Sequence, residues 1–241
     1  MKYNKIKEGI FLARPNRFIA NVIVGGEMQT VHVKNTGRCR ELLREGATVY
    51  LEDHEDNRKA RKTGYSLIAV QKRCDPEEAG YRLVNIDSYA PNRVVGEGLA
   101  DGSITLPGLR IPYCRIKPEV TYGASRFDFY VEDAKGKKAF IEVKGCTLEE
   151  EGTARFPDAP TERGLRHVKE LCGALDDGFA AYIIFVIQMK GVSVFEPNDA
   201  THRAFGEALR EANKKGVAVL AYNCRVTPET MEIGEPVRVK L

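Results

Sequence analysis

Between Phe11 and about Asn85 the apolar residues come in short runs separated by turn formers, a pattern of strands rather than helices. Residues 17–24 form a mixed apolar run, Gly25-Gly26 supplies a turn, and residues 29–34 alternate apolar with polar, which predicts a hairpin. Asn35-Thr36-Gly37 then breaks the run, and Thr36 is placed to cap a brief helix over residues 38–44. Two more strands are predicted over 48–52 and 65–71, and residues 81–88 lead out of the region. Hairpin, short helix and further strands suggest a small closed barrel of the oligonucleotide-binding (OB) type, and other small barrels fit the same pattern.

Past Ala90-Pro91 the period lengthens. A helix is predicted from Pro91 towards Ala100, with Val94, Val95 and Leu99 on its apolar side and Gly96 and Gly98 weakening it. Residues 106–116 are punctuated by Pro and Gly, and 118–122 resemble a short strand. Residues 126–145 form two strands around a loop of Ala134, Lys135 and Gly136, with Gly136 in the left-handed position such loops favour. Glu149-Glu150-Glu151 is expected as a solvated loop. Asp158 or Thr161 caps a helix to about Leu175, with Pro160 in its first turn and Leu165, Val168 and Leu171 or Cys172 facing inward. The nearly unbroken apolar run 180–188 predicts a strand buried on both faces, with a parallel neighbour and helices on either side. Residues 199–215 form an amphipathic helix ended by Gly216, and 217–222 a further strand. The whole is an all-β barrel domain over 1–88 followed by an α/β domain over 89–241 with a mixed central sheet.

Composition changes this picture little. In 241 residues, 43% hydrophobic and 29% charged content are those of a folded globular chain, and a net charge of +3 permits nucleic-acid binding without arguing for it. The six cysteines are widely spaced, with no Cys-x-x-Cys, which excludes a zinc framework and is expected of reduced thiols. No apolar signal opens the chain and the longest apolar run is too short to span a bilayer, so a cytoplasmic protein with no membrane partner is expected. Monomer and homodimer both stay open.

Charge placement matters more. With the three-residue loop, Asp133 pairs with Lys137 and Asp128 falls opposite Glu142, while Glu142 and Lys144 share Asp128's face. Two facing carboxylates beside an ammonium suit a divalent cation, Mg²⁺ or Mn²⁺, and hydrolysis of a phosphodiester. A solvated hairpin face has the same alternation, and spacing alone favours that plainer explanation. Glu97 is a candidate third carboxylate or an exposed helix charge, and Glu119 is a neighbour to watch. Arg163 and His167, four apart, either hold phosphate or form the polar side of their helix. In the barrel Arg14, Arg17, Arg38, Arg40, Arg58, Lys59, Arg61 and Lys62 gather among Phe18, Tyr50 and Tyr65, a composition that grips single strands, although a basic loop over 58–62 is also simply a solvated one.

Six segments then suggest a family: Val33-Lys34-Asn35-Thr36-Gly37-Arg38, Pro91-Asn92-Arg93-Val94-Val95, Ser125-Arg126-Phe127-Asp128-Phe129, Ile141-Glu142-Val143-Lys144, Phe156-Pro157-Asp158-Ala159-Pro160-Thr161-Glu162-Arg163-Gly164 and Pro197-Asn198-Asp199-Ala200. Together they resemble the sugar fermentation stimulation protein A family over nearly the whole chain. The resemblance implies an OB-fold domain followed by one similar to the PD-(D/E)xK nucleases. In that pattern Asp128 is the acid of the first strand, Glu142 and Lys144 are the Glu-x-Lys of the next, and Glu97 is the helix acid. It implies Asp128 and Glu142 as ligands of Mg²⁺ or Mn²⁺, with the Val143 carbonyl and Glu97 as further ligands, Lys144 positioning water, and Arg163 and His167 on phosphate. It also implies a nucleic-acid partner, DNA ahead of RNA, and either a metal-dependent nuclease or a non-catalytic DNA-binding regulator of sugar use.

Overall fold

The computed structural model describes residues 1–35, 37–55, 61–74 and 80–241. Six strands open the chain: β1 (Ile6–Asn16), β2 (Ile19–Val24), β3 (Glu27–Val33), β4 (Thr48–Asp53), β5 (Tyr65–Arg73) and β6 (Tyr81–Asn85). Their order is β3-β2-β1-β4-β5-β6, and a parallel pairing of β3 with β5 at His32–Ser66 and Val33–Leu67 closes the first five into a barrel. Alternation does the folding here: Val49 and Leu51 of β4, Ala20 and Val22 of β2 and Val31 and Val33 of β3 turn inward and are essentially sealed. Residues 81–85, expected to lead out of the barrel, instead pair antiparallel with β5 outside the closed ring.

Residues 38–44 are turns rather than the expected helix. Cys39 is left-handed at φ 45, which breaks helical propagation, and the guanidinium of Arg14 takes the carbonyls of Asn35, Gly37 and Arg38, fixing the loop another way. Cys39, Leu42 and Leu43 plug the barrel core. The capping role expected of Thr36 lies outside the described residues.

The second half runs α1 (Ala90–Asp101), β7 (Tyr113–Tyr122), β8 (Ser125–Asp133), β9 (Lys138–Cys146), β10 (Glu149–Glu150), β11 (Thr153–Phe156), α2 (Glu162–Asp176), β12 (Ala180–Ile187), β13 (Val194–Pro197), α3 (Asp199–Lys215), β14 (Ala218–Val226), β15 (Met231–Pro236) and β16 (Arg238–Val239). Its main sheet has the order β15-β14-β12-β9-β8-β7, with β12 parallel to both β9 and β14 and the outer pairs antiparallel, so it is mixed. The apolar run of β12 serves two cores at once. Ala181, Ile183, Phe185 and Ile187 pack towards α2 and α3, and Tyr182, Ile184 and Val186 towards α1. The fold is thus an OB barrel followed by an α/β domain with a mixed sheet.

Three local expectations change. β7 extends back to Tyr113, with Pro118 tolerated because β7 is an edge strand. Thr161 is the cap of α2, its hydroxyl accepting the Gly164 N–H at 3.1 Å, so Pro160 precedes the helix rather than lying in its first turn. Glu149 is buried rather than solvated: its Oε2 takes Lys72 at 2.5 Å and Arg82 at 2.9 Å, and its Oε1 accepts the Gly152 N–H at 2.7 Å. A small sheet β10-β11-β13-β16 surrounds it, built from segments too short to carry a period.

Candidate functional site

The β8–β9 hairpin closes as its loop chemistry dictates. Gly136 has φ +77, the Asp133 N–H donates to Lys137 at 3.0 Å, and the ladder runs from Glu132–Lys138 to Phe129–Ile141. That register sets Asp128 opposite Glu142. Beyond Phe129 the ladder continues through a side chain, the Val143 N–H donating to Asp128 Oδ2 at 2.7 Å. Here β8 also switches faces. Phe127 joins the core under α2 and Phe129, two residues on, the core under α1, so Asp128 reaches α1, where Asn92 Nδ2 donates to Oδ1 at 2.7 Å. Burial pushes the Asp128 carboxyl up, the neighbouring Glu142 charge adds to the rise, and the Val143, Asn92 and Lys144 groups offset only part of it.

Glu142 is 2% exposed. Its Oε1 takes the Lys144 ammonium at 2.5 Å and a hydrogen bond from His167 Nδ1. Arg163 Nε donates to His167 Nε2 at 3.4 Å, which makes Nε2 the acceptor and assigns the ring proton to Nδ1, donating to Glu142. Burial raises the Glu142 carboxyl, but the His167 hydrogen bond and the charge and hydrogen bond of Lys144 outweigh it and hold the group below the usual range. Its second oxygen, Oε2, is buried with no hydrogen-bond partner. An orphaned carboxylate oxygen near a second carboxylate is a donor set for a hard cation, so the residues fit a divalent ion held by Asp128 and Glu142. Among the described residues no three His, Cys, Asp or Glu side chains converge as a complete cage. Mg²⁺-type sites need none, since water and substrate phosphate fill the remaining positions.

Several candidates land elsewhere. Glu97 stands on the solvent side of α1 with Arg93 and Ala100, and its Oε2 takes the Met1 ammonium at 2.6 Å. The helical position that faces Asp128 is Asn92's, one turn before Gly96, where an added Cβ would lie 3.3 Å from the Phe129 ring. Glycine there permits the close packing that aims Asn92. Arg14 is consumed by four loop carbonyls at 2.6–2.9 Å and is a structural clamp rather than a phosphate ligand. His167 is on the buried side of α2, neither a polar surface residue nor an open phosphate contact. Glu119 pairs with Arg126 at 2.6 Å on the surface. Arg17, Arg38, Arg40, Arg61 and Lys62 are exposed, with Arg17 over the Phe18 ring at 4.9 Å. Arg58 and Lys59 lie outside the described residues. Asn92 was missed because an amide carries no charge pattern; its only signal was the Pro91-Asn92-Arg93 segment.

A cleft of about 330 Å³ opens one residue past Lys144, between the barrel loop at Asn35 and Gly37 and the segment Phe156 to Thr161, with Gly145 to Leu148 and Gln188 as its floor. A larger hollow of about 870 Å³, between β5, β6 and β10, holds the paired Glu149, and neither hollow is lined by the candidate metal ligands Asp128, Glu142, Val143 and Glu97. The six cysteines are free thiols. No helix among the described residues is long and apolar enough to cross a membrane.

Two family descriptions match the chain: the SfsA N-terminal OB domain over residues 12–86 and the sugar fermentation stimulation protein RE domain over residues 89–230. A sugar fermentation stimulation protein homolog of Ruminiclostridium cellulolyticum is 53% identical over 241 residues, covering 100% of both chains. One of Desulfitobacterium hafniense strain Y51 is 52% identical, covering 100% of this chain and 99% of that one. The solved structure of Pyrococcus furiosus SfsA in complex with Ca²⁺ superposes with a TM-score of 0.85 at 30% identity, over 100% of this chain and 98% of the other. The chain belongs to the sugar fermentation stimulation protein family.

Proposed function

We propose that this chain is a cytoplasmic nucleic-acid-binding protein whose residues 89–241 form a divalent-metal-dependent phosphodiesterase domain behind a barrel domain over residues 1–88, acting on DNA ahead of RNA. The observation that carries the reading is Glu142 Oε2, buried without a partner while Lys144 and His167 saturate Oε1, in a carboxylate whose charge is felt by Asp128. Asp128 and Glu142 would hold Mg²⁺ or Mn²⁺, with the Val143 carbonyl as a further ligand, and the Ca²⁺ complex of the Pyrococcus furiosus relative supports a hard divalent ion. When bound, the ion supplies a polarised phosphate oxygen and a water of lowered pKa. Lys144 would orient the attacking water and offset the charge that builds on the phosphate. His167 holds Glu142 through Nδ1 and is itself held by Arg163, a positioning chain rather than a reacting one. The exposed Arg17, Arg38, Arg40, Arg61 and Lys62 draw in the phosphate backbone. The test is cleavage of single- and double-stranded DNA and RNA with Mn²⁺, beside Asp128→Ala and Lys144→Ala. Cleavage undiminished in both variants rejects the assignment.

A second reading is favoured by Glu97, which faces Met1 instead of the acids. With two acidic side chains in place of three, the domain would serve as a DNA-binding scaffold without turnover. Salt-dependent binding by the wild type with no cleavage under any divalent metal would establish it.

A further inference from the structure

The Phe156 to Thr161 segment is not used by the metal-centre reading, yet it forms one wall of the cleft whose lining begins at Gly145, the residue that follows Lys144 in β9. Most polar side chains there are committed. Asn35 bonds Gly37 N and Ile86 O, Ser88 Oγ donates to Lys34 O, Gln188 Nε2 donates to Asn85 and Asp87, and Thr161 caps α2. The walls are therefore rigid, with apolar surface from Phe156, Pro157, Ala159 and Pro160. Asp158 differs: its Oδ2 accepts the Arg38 N–H at 3.2 Å across the domain junction, and a carboxylate has lone pairs for more than one donor. Its charge is felt locally, adding to the burial that pushes the Cys146 thiol in the cleft's floor up to about 12.

A rigid slot with apolar walls, an acceptor-only anion and an Arg155 guanidinium already paired with Glu150 at 2.7 Å and Glu196 at 3.7 Å offers phosphate little and suits a flat, neutral group bearing N–H or O–H donors. We propose that this cleft receives the nucleoside adjoining the cleaved phosphate and that Asp158 reads an amino group on its base. This rests on the nuclease reading above. The donor could also be a ribose 2′-hydroxyl, which carries the same chemistry.

The test is fluorescence anisotropy with labelled single strands of about twelve nucleotides, a length an OB barrel accommodates. Oligo(dA), oligo(dC), oligo(dT), oligo(dU) and oligo(rU) are titrated in Ca²⁺ against wild type, Asp158→Asn and Asp128→Asn, with folding checked by circular dichroism. The asparagine keeps an oxygen for the Arg38 N–H and presents an amide donor to the cleft. Wild type is expected to prefer dA and dC over dT, which has no exocyclic amino group, by about tenfold, and Asp158→Asn to bring that ratio within about twofold. Asp128→Asn is expected to weaken all strands alike. A base ratio unchanged in folded Asp158→Asn overturns the cleft assignment while leaving the nuclease reading intact. A change in the rU-to-dU ratio alone overturns base reading in favour of the sugar hydroxyl. Failure of the wild type to bind any strand removes both proposals.

Discussion

Two glutamates seven residues apart, Glu142 and Glu149, are buried to nearly the same degree, at 2% and 6% exposure, and each meets two basic side chains. They differ in one oxygen. Glu149 is saturated, with Lys72 and Arg82 on Oε2 and the Gly152 N–H on Oε1, whereas both partners of Glu142 crowd onto Oε1 and Oε2 has none. A fully satisfied buried carboxylate joins β10 to the β5–β6 side of the barrel and is architecture. One left with an unsatisfied oxygen beside a second acid is the candidate site, because the desolvation penalty the fold bears there is one that a bound cation would relieve.

That contrast breaks most visibly in activity. Glu142→Gln is expected to lower metal-dependent cleavage by about 10²-fold or more in initial-rate assays, while Glu149→Gln keeps the rate per folded molecule within about twofold. Stability should invert the order. Glu149→Gln strands two basic groups and is expected to lose about 2–3 kcal/mol in urea unfolding, somewhat under a sealed pair because Lys72 keeps 21% of its surface in water.

His167 sharpens the comparison at intermediate size. His167→Gln is expected to weaken Mn²⁺ affinity about 10- to 100-fold by calorimetry, since the ring aims Glu142 without meeting the ion. A pH series separates the two glutamates further. Burial would raise the Glu149 carboxyl, but Lys72, the Gly152 N–H and Arg82 hold it below the ordinary 4.5. A carboxyl depressed in the fold stabilises above its unfolded pKa and loses that contribution as pH falls through its folded value. The Tm gap between wild type and Glu149→Gln is therefore expected to be full at neutral pH and to close below pH 4.5. The smallest effect belongs to the barrel surface. Arg17→Ala should lower the salt slope of DNA binding by about one unit, whereas Arg14→Ala should act chiefly on stability, since its guanidinium clamps the loop.

The legible parts of the fold were those with a long or strict period. The run 180–188 announced a strand sealed on both faces, and the loop around Gly136 fixed the hairpin register by its own turn chemistry. The small sheet around Glu149 was illegible because its segments, some only two residues long, carry no period. The helix expected over 38–44 failed for a non-local reason, the carbonyls of that loop being taken by Arg14 from a distant strand.

At the site, the sequence by itself, through spacing alone, puts Asp128 opposite Glu142 and Glu142 on one face with Lys144, but the face it gives Asp128 does not hold, because β8 switches faces there and turns Asp128 to α1. It could not determine which helical residue completes them. Glu97 bears the charge that attracts notice, but its face of α1 is set by how Gly96 packs on Phe129, and that packing turns the uncharged Asn92 to Asp128. Nor could it place His167, a residue 25 positions from Glu142, on a buried carboxylate. Local pairing is written in spacing; partners brought in from another layer are chosen by the packing of whole elements, which only the tertiary structure decides.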